Sequence, residues 1–422
     1  MKLPLLMAPA GSDAALEAAL NAGAGAVYFG VGTLNMRSGA AVNFCESDLD
    51  RVAARCHEFG AKAYLTLNIV VFNNELERVA ALCRAAKKAG VDAVIAADPA
   101  VIAEAGRNDL PVHLSVQANV ANIETVRFYS SFAEVMVLAR ELKLADIRDI
   151  VNRIAAENIT SPSGRKVGTE LFIHGALCSS FSGKCYLSLT AANCSANRGV
   201  CRQSCRRRYI VTDAETGERL EIANGYVMSA ADLCMIDFMP EVVASGVDIL
   251  KIEGRGRSAD YVATVTRVYR QALEACAAGT FTRAAAAKWR DELSRVFNRG
   301  FWRGGYYLGE DFGVWSGSGG NRSPVDKTMI GKVTDYYARI GVAEIRLSAG
   351  ELKRGDRLLI VGGTTGALEL TAPEFRIGDG KTLESFAPKG AAVAFPLATR
   401  VRAGDSVYRL DDRDFSGIER KI

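Results

Sequence analysis

The sequence predicts an α/β protein: a (β/α)8 barrel of the TIM type, with a cysteine-rich insertion after its seventh strand and a small C-terminal β-barrel domain. Two patterns carry this prediction. Over the first 275 residues, short apolar and β-branched segments alternate with amphipathic segments of helical length. From about residue 328, short alternating strands are separated by Gly, Asp and Pro turns, which is typical of a small β-barrel.

The first region supplies eight strand candidates, enough to close a barrel, with helical segments long enough for right-handed crossovers between them. A doubly wound open sheet is the rival architecture, but Gly30-Val31-Gly32 lacks the third glycine of a dinucleotide-binding turn. The strands are expected at Leu3–Ala8, Ala26–Gly30, Lys62–Val70, Ala93–Ala97, Val112–Val116, Ala133–Leu138, Glu170–Ile173 and Asp248–Ile252. The clearest helices are expected at Asp13–Ala22, Ser47–Phe59, Asn74–Ala89, Ile123–Ser131, Leu144–Ile154 and Asp260–Ala277.

These patterns divide the chain into three parts. Residues 1–279 are expected to form the barrel, with the insertion at 175–246 and a hairpin-like stretch at 208–229 inside it. Residues 280–327 have the composition of a helical and glycine-rich bridge, and residues 328–422 form the small β-barrel. Because long excursions from a barrel usually carry function, the insertion is the first place to look for a site.

The composition is that of an ordinary globular protein. Of the 422 residues, 49% are hydrophobic and 24% charged, and the net charge of +4 does not by itself indicate a nucleic-acid partner. We find neither a signal peptide nor an apolar run long enough to span a membrane, so a cytoplasmic protein is expected. In that compartment, ten cysteines favour metal binding, catalysis or burial over disulfides.

Four cysteines of the insertion form one set, Cys178-x6-Cys185-x15-Cys201-x3-Cys205. Thiolates bind soft or borderline ions, and four of them suit either an iron–sulfur cluster or a tetrahedral zinc. The wide, uneven spacing lacks paired C-x2-C knuckles and so favours a cluster over zinc. Cys194 is a fifth cysteine in the segment and is either a free neighbour or an alternative ligand.

Arginines follow the cysteines. Taken alone, such a run is a solvated loop, but beside a redox centre it becomes a candidate phosphate contact. The candidate RNA-binding residues are Arg202, Arg206, Arg207 and Arg208.

Polar residues stand near the carboxyl ends of several predicted strands. In a TIM barrel these ends meet at the catalytic rim, so we expect the side chains to converge there. Guanidinium groups match carboxylates bidentately, which makes three arginines candidates for binding an acidic substrate. The candidate catalytic residues are His174, Glu253 and Gln117, and the candidate substrate-binding residues are Arg37, Asn68, Arg140 and Arg255.

Common hydrolase motifs are missing. His57-Glu58 is not followed by a second histidine at zinc-protease spacing, and there is no G-x-S-x-G nucleophile elbow. Only three histidines are present, and His174 alone is well placed for a Ser/His or Cys/His pair.

The run E-L-F-I-H-G-A-L-C-x-x-x-x-G-K-C-Y-L-S at Glu170–Ser188 resembles the signature of the collagenase-like peptidases of unknown catalytic type. APAGS at 8–12, HLSVQANV at 113–120, VLARELKL at 137–144 and KIEGRGRS at 251–258 support the resemblance across the barrel. The chain is most similar to members that form 5-hydroxyuridine at the tRNA wobble position and require prephenate. Other members act on ribosomal RNA cytidine or on the ubiquinone ring.

The resemblance implies an RNA-modifying enzyme with tRNA as its partner. It implies a 4Fe-4S cluster on Cys178, Cys185, Cys201 and Cys205, with zinc as the alternative, and possibly prephenate as a further ligand. We infer that the three rim arginines would then hold the two carboxylates of prephenate. Two other functions remain open at this point: a peptidase, as the family label says, and a non-catalytic iron–sulfur or zinc scaffold that binds RNA or a partner protein.

Overall fold

Eight parallel strands close into a barrel in the computed structural model, which describes residues 3–180, 184–220, 226, 228–302, 316, 318, 320–378, 380 and 382–413. The predicted barrel is therefore confirmed. Each strand pairs with the next along the chain, and the last pairs with both the first and the seventh. The barrel strands are β1 (Leu5–Ala10), β2 (Ala26–Gly30), β3 (Lys62–Leu67), β4 (Ala93–Ala96), β5 (Val112–Leu114), β6 (Val135–Val137), β7 (Gly168–Gly175) and, after the insertion, β11 (Ile249–Ile252).

The insertion adds two kinds of strand. A short hairpin, β8 (Val211–Thr212) and β9 (Arg219–Leu220), confirms the first half of the hairpin-like stretch. Strand β10 (Asp232–Cys234) runs antiparallel to the end of β7, and β12 (Phe301–Trp302) pairs with β10. The second half of the hairpin-like stretch and the glycine-rich part of the predicted bridge lie mostly outside the described residues.

Helices cover the outside of the barrel and begin where local signals place them. Ser12, Asp98, Asn122 and Thr282 each cap a helix by accepting a backbone N–H. The helices are α1 (Asp13–Asn21), α2 (Leu49–Glu58), α3 (Leu76–Lys88), α4 (Pro99–Arg107), α5 (Ile123–Ser130), α6 (Leu144–Ala156), α7 (Leu187–Ala192), α8 (Met239–Ala244), α9 (Ala259–Ala278) and α10 (Arg283–Ser294).

Two apolar layers make up the barrel. The main core lies between the strands and the surrounding helices. A second, smaller cluster fills the barrel interior with residues that include Met7, Tyr28, Tyr64 and Ile95. Interior positions alternate with outward ones along each strand, so the last interior residues of the strands face the carboxyl-terminal opening.

In the C-terminal region, the described strands pair antiparallel and enclose a core of their own. Its first strand starts at Val325, three residues before the predicted boundary, and residues 414–422 lie outside the described part. The region packs on α1 and α9, where Lys327 Nζ lies 2.8 Å from Asp260 Oδ1. Its strands are β13 (Val325–Tyr337), β14 (Val342–Leu347), β15 (Leu352–Lys353), β16 (Arg357–Gly362), β17 (Gly366–Thr371), β18 (Arg376–Ile377), β19 (Phe386–Ala387), β20 (Ala392–Pro396) and β21 (Ser406–Asp412).

Candidate functional site

A cavity of about 380 Å³ opens at the carboxyl-terminal end of the barrel strands. Barrel-strand ends form its floor, and the cysteine segment of the insertion forms one wall. The structure therefore places most of the predicted site residues on one surface. Those that line the cavity are Arg37, Asn68, Gln117, Arg140, Glu253, Arg255, Cys178, Cys185, Cys201 and Cys205.

Glu253 and Arg37 form a short ion pair in the cavity. Arg37 donates from Nη2 and Nε to Oε1 of Glu253, at 2.6 and 3.2 Å, and the Tyr28 hydroxyl donates to Oε2 at 3.2 Å. Burial alone would raise the pKa of Glu253, but the charges of Arg37 and Arg255 outweigh it and lower the pKa to about 2. Glu253 is therefore a fixed anion, so it positions cations here and does not serve as a proton donor near neutral pH.

Arg255 is held by neutral partners. Its Nη1 donates to Oδ1 of Asn35 at 2.9 Å and to the Thr66 hydroxyl at 2.6 Å. Burial lowers the pKa of Arg255 to about 10, which leaves it charged at neutral pH. The guanidinium occupies space that only a glycine at position 30 leaves free, because a Cβ on Gly30 would lie 2.5 Å from Nη1.

Arg140 differs from the other two arginines of the cavity. Its guanidinium carbon lies 4.3 Å from the centre of the Phe172 ring. Its Nε is buried and has no hydrogen-bond partner among the residues that the structure describes. A buried donor without a partner costs free energy, so this side chain is the one best prepared to receive an anionic ligand.

Two amides complete the polar lining. Gln117 is nearly buried, and its Oε1 accepts from the Ser115 hydroxyl at 3.0 Å. Asn68 accepts from the backbone N–H of Met36 at 3.2 Å. Both amide groups therefore keep hydrogen-bonding capacity toward the cavity.

His174 lies outside the cavity, which corrects the expectation that it faces the rim. A β-bulge in β7 puts Phe172 opposite Lys251 but His174 opposite Ile252, so the inward alternation is broken. The imidazole packs against the rings of Tyr261, Tyr269 and Phe301. Burial, reinforced by the charge of Arg257, lowers its pKa to about 3, so it is a neutral packing residue.

All four predicted ligand cysteines line the cavity, and all ten cysteines of the chain are free thiols. The charges of Cys178 and Cys201 both act on Cys205, whose pKa is raised by burial. Cys194 does not line the cavity; its thiol lies 3.6 Å from the Ser188 carbonyl oxygen. Within the described ranges, no three His, Cys, Asp or Glu side chains converge closely enough to hold a metal ion.

The donor chemistry of this wall fits a soft metal group. Four unbridged thiols on one surface match iron–sulfur or zinc ligation, and no nearby imidazole competes for the role. Cys178, Cys185, Cys201 and Cys205 would hold such a group.

Two arginines hold the cysteine segment in place: Arg198 ties it to the barrel, and Arg206 ties it to other parts of the insertion. Arg198 donates to the Val70 carbonyl and to both oxygens of Glu75, each at 2.6 Å, and stacks on the Phe72 ring. Arg206 donates to the carbonyls of Ala230 and Leu177 and to the Ser229 hydroxyl. The guanidinium of Arg206 is therefore engaged within the protein, and its contact with RNA stays a prediction.

The other arginines of the run remain on the surface. Arg202, Arg207 and Arg208 are exposed beside the cavity wall. Residues 171–212 contain six Lys and Arg residues and no Asp or Glu, so no acidic residue within this segment offsets its positive charge. Exposed Tyr186 adds an aromatic ring to the same surface, and basic patches with aromatic rings are typical of single-stranded nucleic-acid sites.

Sequence reasoning missed the pairing of three buried polar residues, Lys251, Glu170 and His113, inside the barrel. Lys251 Nζ lies 2.7 Å from Glu170 Oε1, and His113 Nδ1 lies 3.4 Å from Glu170 Oε2. Their sequence signal is a charged or polar residue inside an otherwise apolar strand. That signal does not show which strands face each other across the barrel.

The described residues contain no helix long and apolar enough to cross a membrane.

Comparison with known proteins places this chain in a peptidase family. Residues 11–315 match Peptidase family U32. A protein named collagenase from Porphyromonas gingivalis is 45% identical over 409 residues, which cover 97% of this chain and 98% of that protein.

Proteins named for RNA modification are also similar. A tRNA hydroxylation protein of Bacillus subtilis is 35% identical over 71% of this chain and 69% of that protein. A 23S rRNA 5-hydroxycytidine synthase of Escherichia coli is 33% identical over 70% of this chain and 44% of that protein. These matches confirm the resemblance to the collagenase-like peptidases: the chain belongs to peptidase family U32.

Proposed function

We propose that this protein is an RNA-modifying enzyme that converts a wobble uridine of tRNA to 5-hydroxyuridine in the barrel cavity. The observation that carries the proposal is the cavity itself. It joins a wall of four free thiols to a floor of guanidinium groups, and an exposed basic segment lies beside it. The similarity to proteins named for tRNA and rRNA hydroxylation supports the same function.

RNA would approach along the exposed face of the insertion. Arg202 and Arg207 lie at the surface and are suited to contact phosphates, while the target base must leave its stack to reach the cavity. Gln117 and Asn68 have the donors and acceptors that recognise the edge of a uracil. Glu253 keeps Arg37 fixed at the same floor.

The reaction replaces the C5–H bond of uracil by C5–OH, a two-electron oxidation; an external oxygen-atom donor would give up one oxygen atom and leave reduced by two electrons. A 4Fe-4S cluster on the four cysteines would supply one-electron chemistry when bound, and zinc on the same thiols would not. We propose a dicarboxylate such as prephenate as the second ligand of the cavity. Arg140 is the residue prepared to bind it, because Nε has no partner among the described residues.

Nucleoside mass spectrometry of total tRNA tests the function directly. We expect deletion of the gene, together with any paralogue, to remove 5-hydroxyuridine and its derivatives, and the wild-type gene to restore them. Restoration should fail with Arg140→Met but succeed with the control Arg148→Met, which changes an exposed arginine on α6. Unchanged 5-hydroxyuridine in the deletion strain would reject the proposal. If Arg140→Met restores the nucleoside fully, the anion-binding role fails but the enzyme assignment stands.

A peptidase is the second candidate, favoured by the name of the 45% identical relative. Within the described residues, the geometry does not support it, because no histidine lines the cavity that holds the cysteines. His57 is at the surface beside Asp92, and His174 is packed behind the barrel wall. Gelatin cleavage by highly purified protein, lost in Cys178→Ser and retained in Cys194→Ser, would favour this function over RNA hydroxylation.

A further inference from the structure

A line of three charged or titratable residues crosses the barrel interior. Lys251 on β11 pairs with Glu170 on β7 at 2.7 Å, and the other oxygen of Glu170 faces His113 on β5 at 3.4 Å. The side chains of Lys251 and His113 are only 5% exposed, and that of Glu170 is fully buried. No other acid contacts Lys251 in the described part of the chain.

The two ends of this line face opposite openings of the barrel. Lys251 lines the cavity that holds Glu253 and the cysteines. His113 lines a crater of about 680 Å³ at the amino-terminal end of the strands. Since Nδ1 of His113 faces Glu170, the other ring nitrogen, Nε2, is the one left for the crater side.

Aromatic rings border Lys251 and His113, and these two residues in turn affect the pKa of Glu170. The ring of Tyr28 lies 4.6 Å from Lys251 Nζ, and the ring of Tyr64 lies 4.4 Å from the His113 ring. Burial would raise the pKa of Glu170, but Lys251 and His113 outweigh it and lower the pKa. Hydrophobic residues fill such interiors at no electrostatic cost, so an ion pair here is not required for packing alone.

We propose that Lys251, Glu170 and His113 form a proton relay between the crater and the cavity. The Lys251 ammonium donates a proton from Nζ to a basic oxygen of the cavity ligand, breaking an N–H bond and forming an O–H bond. Solvent in the crater first protonates His113 at Nε2, and the imidazolium then passes its Nδ1 proton to Glu170, which delivers it to the neutral Nζ. The ring is left as the Nε2–H tautomer, so one proton moves from solvent to the ligand and no electrons are exchanged.

Other charged or titratable side chains line both openings and contribute to the electrostatic potential at the two ends of the relay. Around the cavity end they are Tyr28, Arg37, Arg140, Glu141, Glu253 and Arg255. Around the crater end they are Lys62, Tyr64, Asp92, Glu134, Arg165, Lys166, Asp248 and Arg270. A matched control can therefore be chosen from the crater: Lys62 lines it but pairs with Asp92 and not with Glu170.

The first test measures, in the ligand-free protein, whether the charge of Lys251 affects the titration of His113. The ring of His113 is followed by NMR over pH, with His57 assigned by His57→Gln. Lys251→Met should raise the titration midpoint of His113, because Glu170 loses its cation and interacts more strongly with the imidazolium. Lys62→Met should move it much less. An unchanged midpoint in Lys251→Met overturns the relay.

A second variant gives the opposite sign and covers a failure of Lys251→Met to fold. Glu170→Gln should lower the midpoint of His113, because the carboxylate that favours the imidazolium is gone. A midpoint that stays or rises contradicts the proposal. Neither NMR test uses enzymatic activity, so their outcome is separate from that of the proposed function.

Turnover distinguishes a relay from a static ion pair. His113→Gln should lower kcat of uridine hydroxylation about 100-fold while leaving KM nearly unchanged, because the proton source acts after binding. His113→Gly should regain turnover when imidazole is added, since the small base can enter the crater. Full kcat in His113→Gln, or no rescue of a folded His113→Gly, shows that the three residues are structural.

Discussion

Replacing Glu253 by Gln removes the buried carboxylate that faces Arg37 and Arg255. Burial raises the pKa of Glu253, but the two guanidinium groups lower it from 4.5 to about 2. At 1.36 kcal/mol per pH unit, this difference is a stabilisation of about 3 kcal/mol at pH 7. We expect Glu253→Gln to lower the free energy of unfolding by about that amount.

The pH dependence follows from the sign of the pKa change. A carboxyl whose pKa is depressed in the folded protein contributes fully above its unfolded pKa of 4.5 and loses this contribution as pH falls toward 2. The difference between wild type and Glu253→Gln should therefore shrink to about 1.4 kcal/mol at pH 3.

Urea unfolding followed by intrinsic fluorescence at pH 7, 5 and 3 measures this difference. Glu218→Gln, at an exposed position, is the matched control and should equal the wild type at each pH. A destabilisation by Glu253→Gln that is the same at pH 7 and pH 3 would refute the reasoning. The loss would then come from packing rather than from the charge.

Three further predictions concern residues in or near the floor and the cysteine wall of the cavity. Arg206→Ala should lower the free energy of unfolding of the barrel by about 3 kcal/mol in urea, because a charged donor to three acceptors is lost, whereas Arg207→Ala should leave it nearly unchanged. Gly30→Ala should cost about 2 kcal/mol in the same assay, because the added methyl collides with the guanidinium 2.5 Å away. Cys201→Ser should lose most of the iron, sulfide or zinc that anaerobically purified protein carries, whereas Cys194→Ser should keep it, as measured by elemental and sulfide analysis.

Each of these three predictions can be contradicted by a specific result. Equal destabilisation by both arginine substitutions would show that the loop is not held by one guanidinium, and a neutral Gly30→Ala would show that the floor can shift. If Cys194→Ser loses the metal as completely as Cys201→Ser, the ligand set must include Cys194.

Much of the cavity follows from pattern alone. Parallel strands bring their carboxyl ends to one opening, so residues that directly follow strands, such as Asn68 and Arg140, meet there whatever the details of packing. The four cysteines reach the same opening because their segment starts at the end of β7. For these residues, chain position and fold class are sufficient.

Other roles depend on contacts that chain position does not reveal. Period-two alternation predicts that His174 faces inward, but one bulged residue in β7 turns it outward. Arg206 stands among arginines that are exposed, yet neighbouring carbonyl groups engage its guanidinium. Such outcomes depend on which acceptors lie within hydrogen-bonding distance, which only the packed structure determines.

The amino-acid sequence by itself determined the barrel, the cysteine set at its rim and the basic segment beside it, because strand alternation and residue chemistry are local properties. Only the tertiary structure decided how those groups are paired. It placed Glu253 against Arg37, left Arg140 Nε without a partner among the described residues, and joined Lys251, Glu170 and His113 across the barrel. These pairings connect residues up to 216 positions apart, and strand register rather than local sequence sets their distances.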